Sequence, residues 1–167
     1  HDPDIGWPIL TGANITLDRK IDLSKIVYIE PPKKQQFILQ KGDILFNWRS
    51  GSPEHVGKTA IFELEGNWTF ASFILRIRPQ KTIDTRFLFN LLNYMKKRQL
   101  FSSATSQQVN FKMNASMLRD LAILVPPYEE QRAIANSLEC MLKKQQMHSE
   151  HLNKSKTMIN SLVNQLV

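Results

Sequence analysis

Along the first 125 residues the apolar side chains come in short runs bounded by turn formers, the pattern of strands. Ile26–Ile29 closes on Pro31-Pro32, Ile44–Trp48 follows a Lys41-Gly42-Asp43 turn, and Ala60–Leu64 runs into Glu65-Gly66-Asn67. The longest predicted strand is Trp68–Arg78, where Phe73, Leu75 and Ile77 alternate with Ser72, Ile74, Arg76 and Arg78 until Pro79 stops it. That period of two is what a half-buried strand requires, because successive side chains leave opposite faces.

The period then changes. Phe87, Leu88, Leu91, Leu92 and Met95 recur at three- and four-residue intervals, which predicts a helix with Asp84 or Thr85 as N-cap. Lys96, Lys97 and Arg98 fall in its last turns, where cations complement the helix dipole. Residues 102–112 are polar, amide-rich and aperiodic, and read as a loop. A helical turn near 115–119, a strand at Leu121–Val125 and the breaker Pro126-Pro127 complete this part.

The remainder is different in kind. From Glu129 to Val167 there is no glycine and no proline. One seam row, Ile134, Met141, His148, Ser155 and Leu162, repeats every seven residues, and the other, Leu138, Gln145, Leu152, Ile159 and Leu166, follows it by four. Apolar side chains dominate this unbroken 4-3 spacing, which is a coiled-coil seam. Such a helix is about 58 Å long at 1.5 Å per residue, too long to be covered by a domain of this size, and needs a second helix beside it. Gln145, His148 and Ser155 are polar seam residues of the kind that set register and partner choice. The expected architecture is therefore α+β: a strand-rich domain over residues 1–127 and a dimerisation helix over 128–167.

Composition narrows the class. The 167 residues are 42% hydrophobic with 6 Gly and 8 Pro, which argues against disorder. No run of about 18 apolar residues occurs, no basic-then-apolar leader opens the chain, and the first residue is His1 rather than Met, so a cytoplasmic protein or fragment of one is expected. Cys140 has no second cysteine with which to form an internal disulfide or a cysteine-cage zinc site. The net charge is +7, and residues 1–125 hold seventeen basic against eleven acidic side chains. Such an excess favours a polyanionic partner, although it also serves plain solubility.

Catalytic signatures are absent. Ser52-Pro53-Glu54-His55-Val56-Gly57-Lys58-Thr59 ends like a P-loop, but Ser52 replaces the first glycine, Pro53 removes a backbone donor, and a strand rather than a helix is expected after Thr59. His1, His55, His148 and His151 have no carboxylate cluster at ligand spacing. Asp43, Glu63 and Glu65 sit at turns and strand ends, as solvated surface groups would. No cofactor is expected.

Nucleic-acid recognition requires cations for phosphates and Arg, amide or hydroxyl groups for base edges. Two segments carry both: Asn47–Ser52 running on to His55 and Lys58, and Ser106–Lys112. Lys33-Lys34-Gln35-Gln36 is a weaker third. The candidate contacts are Arg49, Ser50, His55, Lys58, Gln107, Gln108, Asn110 and Lys112, with Lys58 and Lys112 neutralising phosphate while Arg49 and the amides read bases. Ordinary polar loops have the same composition, so composition alone leaves that alternative open.

These stretches, in order, carry a family resemblance. Thr11-Gly12-Ala13-Asn14-Ile15, Ile21–Ser24, Val27–Ile29, Lys41–Arg49, Val56-Gly57-Lys58 and Gln108-Val109-Asn110 lead to Pro126-Pro127-Tyr128-Glu129-Glu130-Gln131-Arg132-Ala133-Ile134. In this arrangement the chain resembles half of a type I restriction-modification specificity subunit, one target-recognition domain with its spacer helix. The resemblance implies a non-catalytic subunit that selects double-stranded DNA and holds methyltransferase and restriction endonuclease/translocase subunits, which bind S-adenosylmethionine and ATP. Full-length members carry two recognition domains and two antiparallel spacer helices, whereas this chain has one of each. The seam then predicts a homodimer reading two inverted half-sites, with the methyltransferase docking at the helix ends and the adjoining domain face. Alternatives are the recognition module of a single-chain restriction-methylation enzyme, and a coiled-coil adaptor without sequence preference.

Overall fold

The structure, a computed structural model, describes residues 6–101, 111–112 and 115–166, and of these 111, 112, 115, 117, 162, 163, 165 and 166 by their backbone alone. The fold is α+β. Its strands are β1 (Trp7–Leu10), β2 (Val27–Ile29), β3 (Ile44–Asn47), β4 (Arg49–Ser50), β5 (Thr59–Ile61), β6 (Thr69–Phe70) and β7 (Ile74–Ile77). Helix α1 (Thr85–Lys97), strand β8 (Phe111–Lys112), the short α2 (Ala115–Arg119) and the long α3 (Tyr128–Leu166) follow. The strands form three small sheets, ordered β2-β1-β6, β5-β3-β7 and β4-β8.

Strand β3 lies at the centre and is buried on both faces. Because its side chains alternate, Leu45 joins Leu10, Ile15, Leu39 and Phe62 on the side of the first sheet, while Ile44 and Phe46 meet Leu92, Met95 and Phe101 on the α1 side. Antiparallel neighbours flank it, with Leu45 opposite Ala60 in β5 and Arg76 in β7. Helix α1 begins at Asp84, whose carboxylate accepts the backbone N–H groups of Arg86 and Phe87 at 2.9 and 3.0 Å. This is the N-cap chemistry that the sequence predicts.

Three predicted strands are redrawn. Trp68–Arg78 is two strands, not one: β6 pairs parallel with β1, the chain turns at Ala71–Ile74 (Ile74 N–H to Ala71 O, 2.9 Å), and β7 pairs antiparallel with β3. The chain passes here from one sheet to the other, and the turn leaves Phe73 exposed instead of facing a core. Leu121–Val125 is extended without ladder pairing; Leu121 and Ile123 still pack beneath α1, so the alternation reports burial without a strand. Ala60–Leu64 begins one residue early, at Thr59, and its ladder ends at Ile61. Conversely, Trp7–Leu10 forms a strand that the apolar pattern did not predict, and the end of the predicted loop, Phe111–Lys112, is β8.

Asp43 also differs from expectation. It is fully buried, not solvated, and its carboxylate receives Arg78 Nε and Nη2 at 2.7 Å each and the Gln40 N–H at 2.8 Å. The preceding Gly42 has φ of 85°, a left-handed turn that brings the carboxylate inward beneath β3. A buried carboxylate is tolerable only with such partners.

Helix α3 leaves the body after two turns. Gln131 and Ala135 are buried, whereas every residue from 140 to 160 is exposed. Seam residues Ile134, Met141, Leu152 and Ile159 are among the exposed large apolar side chains. Among the described residues no helix is long and apolar enough to cross a membrane.

Arg78→Met should strand the Asp43 carboxylate and lower stability by about 3 kcal/mol, the lower end for a broken buried pair because Arg78 is partly solvated. Chemical denaturation of the two proteins checks this; a loss under about 1 kcal/mol would show the pair to be replaceable by water.

Candidate nucleic-acid interface

The site begins where β3 ends. Asn47 is almost wholly buried and clamps the following loop three times: its N–H donates to Lys58 O at 2.8 Å, its carbonyl accepts from Gly57 N–H at 2.8 Å, and its Nδ2 donates to His55 O at 2.8 Å. Pro53–His55 forms one turn of 3-10 helix within that loop. Gly57 closes the return with φ of 77°, and a Cβ there would lie 2.8 Å from the Phe101 ring, so no larger residue fits. Thr59 then opens β5, where a P-loop would require a helix.

A second turn, Thr11–Asn14, faces this loop. Asn14 accepts from Thr11 N–H and Oγ1 at 2.9 and 2.8 Å and donates to the carbonyls of Asp22 and Lys25 at 2.9 and 3.0 Å. Gly12 packs against Asn47 so closely that a Cβ at this position would stand only 2.8 Å from Asn47 Oδ1. Lys58 ties the two turns together, its Nζ donating to Gly12 O at 2.9 Å. Burial, and secondarily Lys96, push the Lys58 pKa below its ordinary 10.5.

Between the turns lies a cleft of about 580 Å³ lined by Thr11, Gly12, Ala13, Asn47, Arg49, Ser50, Gly51, His55, Lys58 and Phe73. The Arg49 guanidinium stands 5.2 Å from the Phe73 ring centroid, a cation–π contact that orients the fork while leaving its edge N–H groups for other acceptors. Trp48 steadies the same wall by donating its indole N–H to Ser72 O at 2.7 Å. Among the described residues, two buried atoms here, Asn47 Oδ1 and His55 Nδ1, have no hydrogen-bond partner.

Of the sequence-predicted contacts, Arg49, Ser50, His55 and Lys58 thus converge on one cleft. Lys58, expected to face phosphate, is 6% exposed with its ammonium on Gly12 O, where it ties the two turns together. Lys112 is brought to the same place by its backbone, since β4 pairs with β8 in the register Arg49↔Lys112 and Ser50↔Phe111. Gln107, Gln108 and Asn110 lie outside the described residues. The weaker candidate Gln35–Gln36 forms a separate 3-10 turn away from the cleft lining. Pattern reading missed Phe73 as the platform for Arg49. Its exposure at a strand break was the available signal, and the break itself was read as continuous strand.

Known proteins resemble this chain along most of its length. The family model of the type I restriction modification DNA specificity domain matches residues 4–155. The chain is 36% identical over 140 residues to the type I restriction enzyme MjaX specificity subunit of Methanocaldococcus jannaschii, covering 80% of this chain and 32% of that one. Against the EcoKI specificity subunit of Escherichia coli K12 it is 28% identical over 138 residues, covering 81% and 29%. The chain thus spans about a third of the length of these relatives. Its fold is similar to the crystal structure of the HsdS subunit from Thermoanaerobacter tengcongensis, with a TM-score of 0.60 and 23% identity over 83% of this chain and 30% of that one. By the match over most of its length, the chain belongs to the type I restriction-modification DNA specificity domain family.

Proposed function

We propose that this chain is a non-catalytic DNA-specificity unit, in which residues 1–127 recognise one half of a bipartite duplex site and 128–167 space and pair the domains. The observation that carries the reading is the β4–β8 ladder. It joins the two segments whose composition suits DNA, placing Arg49 and Ser50 beside the residues that directly follow Asn110. A basic, amide-rich edge beside an open cleft matches what base-edge readout requires.

In this reading Arg49, held by Phe73, presents its fork to a guanine edge, and Gln107, Gln108 and Asn110 supply amides for adenine. Ser50 and His55 line the approach, and Lys112 neutralises a phosphate. Lys58 acts one step back by holding Gly12 against Asn47. Methylation and cleavage belong to methyltransferase and restriction endonuclease/translocase subunits. Those subunits bring S-adenosylmethionine and ATP, and this chain binds neither.

The exposed α3 seam supports a homodimer, because Leu152 and Ile159 remain 48% and 58% exposed among the described residues. Two copies paired about a twofold axis would present inverted half-sites. Met141, Gln145, His148 and Ser155 lie on the same seam, and Leu162 and Leu166 extend it by sequence.

Selection from a random duplex pool at about 150 mM salt, where purely electrostatic binding is weakened, tests the reading. An enriched motif is expected; none, alone or with the methyltransferase partner present, would sink it. On the enriched duplex, Arg49→Ala should cost about 1–3 kcal/mol and relax preference at one position, while Lys112→Ala should weaken all sequences alike and reduce the salt slope by about 1. Lys58→Met should leave that slope unchanged while lowering stability; a slope reduced by about 1 would make Lys58 a phosphate contact after all. Leu152→Glu combined with Ile159→Glu should convert a dimer to a monomer in sedimentation and abolish the preference for two half-sites over one. A dimer that survives both changes would place the pairing surface elsewhere.

A further inference from the structure

The junction between the strand-bearing body and α3 is built around one side chain. Gln131 lies in the first turn of α3 at 1% exposure, and all of its polar atoms are engaged. Its Nε2 donates to Pro126 O at 2.9 Å and Thr82 O at 3.1 Å, and its Oε1 accepts the Asp84 N–H at 2.9 Å. These partners belong to the chain entering α3 and to the segment capping α1, so one amide fastens both helix starts together. One turn further on, Ala135 is fully buried. On the outside, Arg86 Nη1 donates to Asn136 Oδ1 at 2.9 Å and Glu139 Oε2 at 3.2 Å, and its Nη2 reaches Asp84 Oδ2 at 3.4 Å.

Ile134, Leu138 and Leu142 still border a groove shared with Leu91 and Tyr94 of α1, and beyond them residues 143–160 are all exposed. A 39-residue helix is a lever of roughly 58 Å. A tilt of about 5° at its base moves the far end by roughly 5 Å, which exceeds the ~3.4 Å rise of one base pair. The angle at Gln131 therefore controls where this domain is aimed relative to whatever the far end of the helix holds.

We infer that Gln131 is a positioning residue that sets which gap between DNA half-sites a paired molecule accepts. This rests on the proposed recognition and pairing. Gln131 touches no DNA and acts only through the direction in which α3 leaves the body. The amide suits this task because its donors and acceptor are satisfied in one geometry, so rotation of the helix breaks buried hydrogen bonds. An apolar side chain of the same length fills the space without defining the angle.

The test uses the full chain and two readouts. Cys140 is exposed on α3 and is the chain's one cysteine, so with Ser24→Cys on the body it carries a pair of spin labels. With excess unlabelled chain to suppress distances between copies, the parent should show one narrow distance distribution. Gln131→Met should broaden it, and Arg86→Ala, which removes only the outer tie, should broaden it less. Should the Gln131 variant fail to fold, the Arg86 variant carries the test. Distributions as narrow as the parent's in every folded variant would overturn the inference.

The second readout is the duplex enriched by the parent chain, remade with its gap shortened or lengthened by one and two base pairs. The parent should prefer its own gap by about tenfold or more, the scale of one lost specific contact. Gln131→Met should flatten that preference to within about threefold while binding a single half-site as the parent does. A gap preference that stays sharp despite a broadened distance distribution would overturn the role in gap selection. Loss of half-site affinity alongside would make Gln131 a merely structural residue. A parent with no half-site motif would defeat the recognition reading and the gap role with it. The distance measurement, which needs no DNA, would show that failure to be separate from any failure of the joint.

Discussion

Everything in the strand-bearing body is organised about β3, because it is buried on both faces and cannot move without opening two cores. Four residues, Ile44 to Asn47, divide their side chains between the first sheet and α1. Each end of the strand is closed by a polar group taken out of water and held by hydrogen bonds. At the start, the buried Asp43 carboxylate is held by the Arg78 fork. At the end, Asn47 binds the returning loop through its backbone and side chain. The apolar burial supplies the driving force, and the two polar closures determine where the strand begins and stops.

The cleft follows from that arrangement. Asn47 marks the point at which the chain leaves the core, and Arg49, two residues later, emerges where the turn at Thr11–Asn14 faces the loop at Ser52–Lys58. Glycine is needed at Gly12 and Gly57 because the two turns come within contact of Asn47 and Phe101. A buried lysine completes the link, its ammonium desolvated yet hydrogen-bonded to a carbonyl. The resulting wall ties down the segment that carries Arg49, which is what the proposed recognition surface would need in order to discriminate rather than merely attract. The same logic recurs at Gln131, where one satisfied amide joins the start of α3 to the segment that caps α1.

Much of this was legible from residue order alone. The helical period of Phe87–Met95, the cap at Asp84, the breaker Pro126-Pro127 and the heptads of α3 are local properties, and α1, its cap and the long helix form where they predict. The family was legible too, because its short motifs keep their order along most of the chain. Local pattern failed wherever a neighbour in space was decisive. Trp68–Arg78 alternates like one strand, yet its halves pair with β1 and β3 in different sheets. Leu121–Val125 alternates because one side packs on a core, and it finds no ladder.

The charged residues show the same division most clearly. Residue order read Asp43 as a solvated turn residue and Lys58 as a cation for phosphate. Neither reading conveys that Asp43 is buried against Arg78, thirty-five positions away, or that Lys58 is spent on a carbonyl forty-six positions away. Residue type and spacing govern periodicity, capping and breaking, because these act within a few positions of the backbone. Whether a charge faces water or a partner depends on which distant segments the folded chain brings within hydrogen-bond reach. Residue order was thus enough for the helices and the family. The pairing of β4 with β8, the enclosure of Asp43 and Lys58, and the anchoring of α3 through Gln131 arise only when remote segments meet in the folded chain.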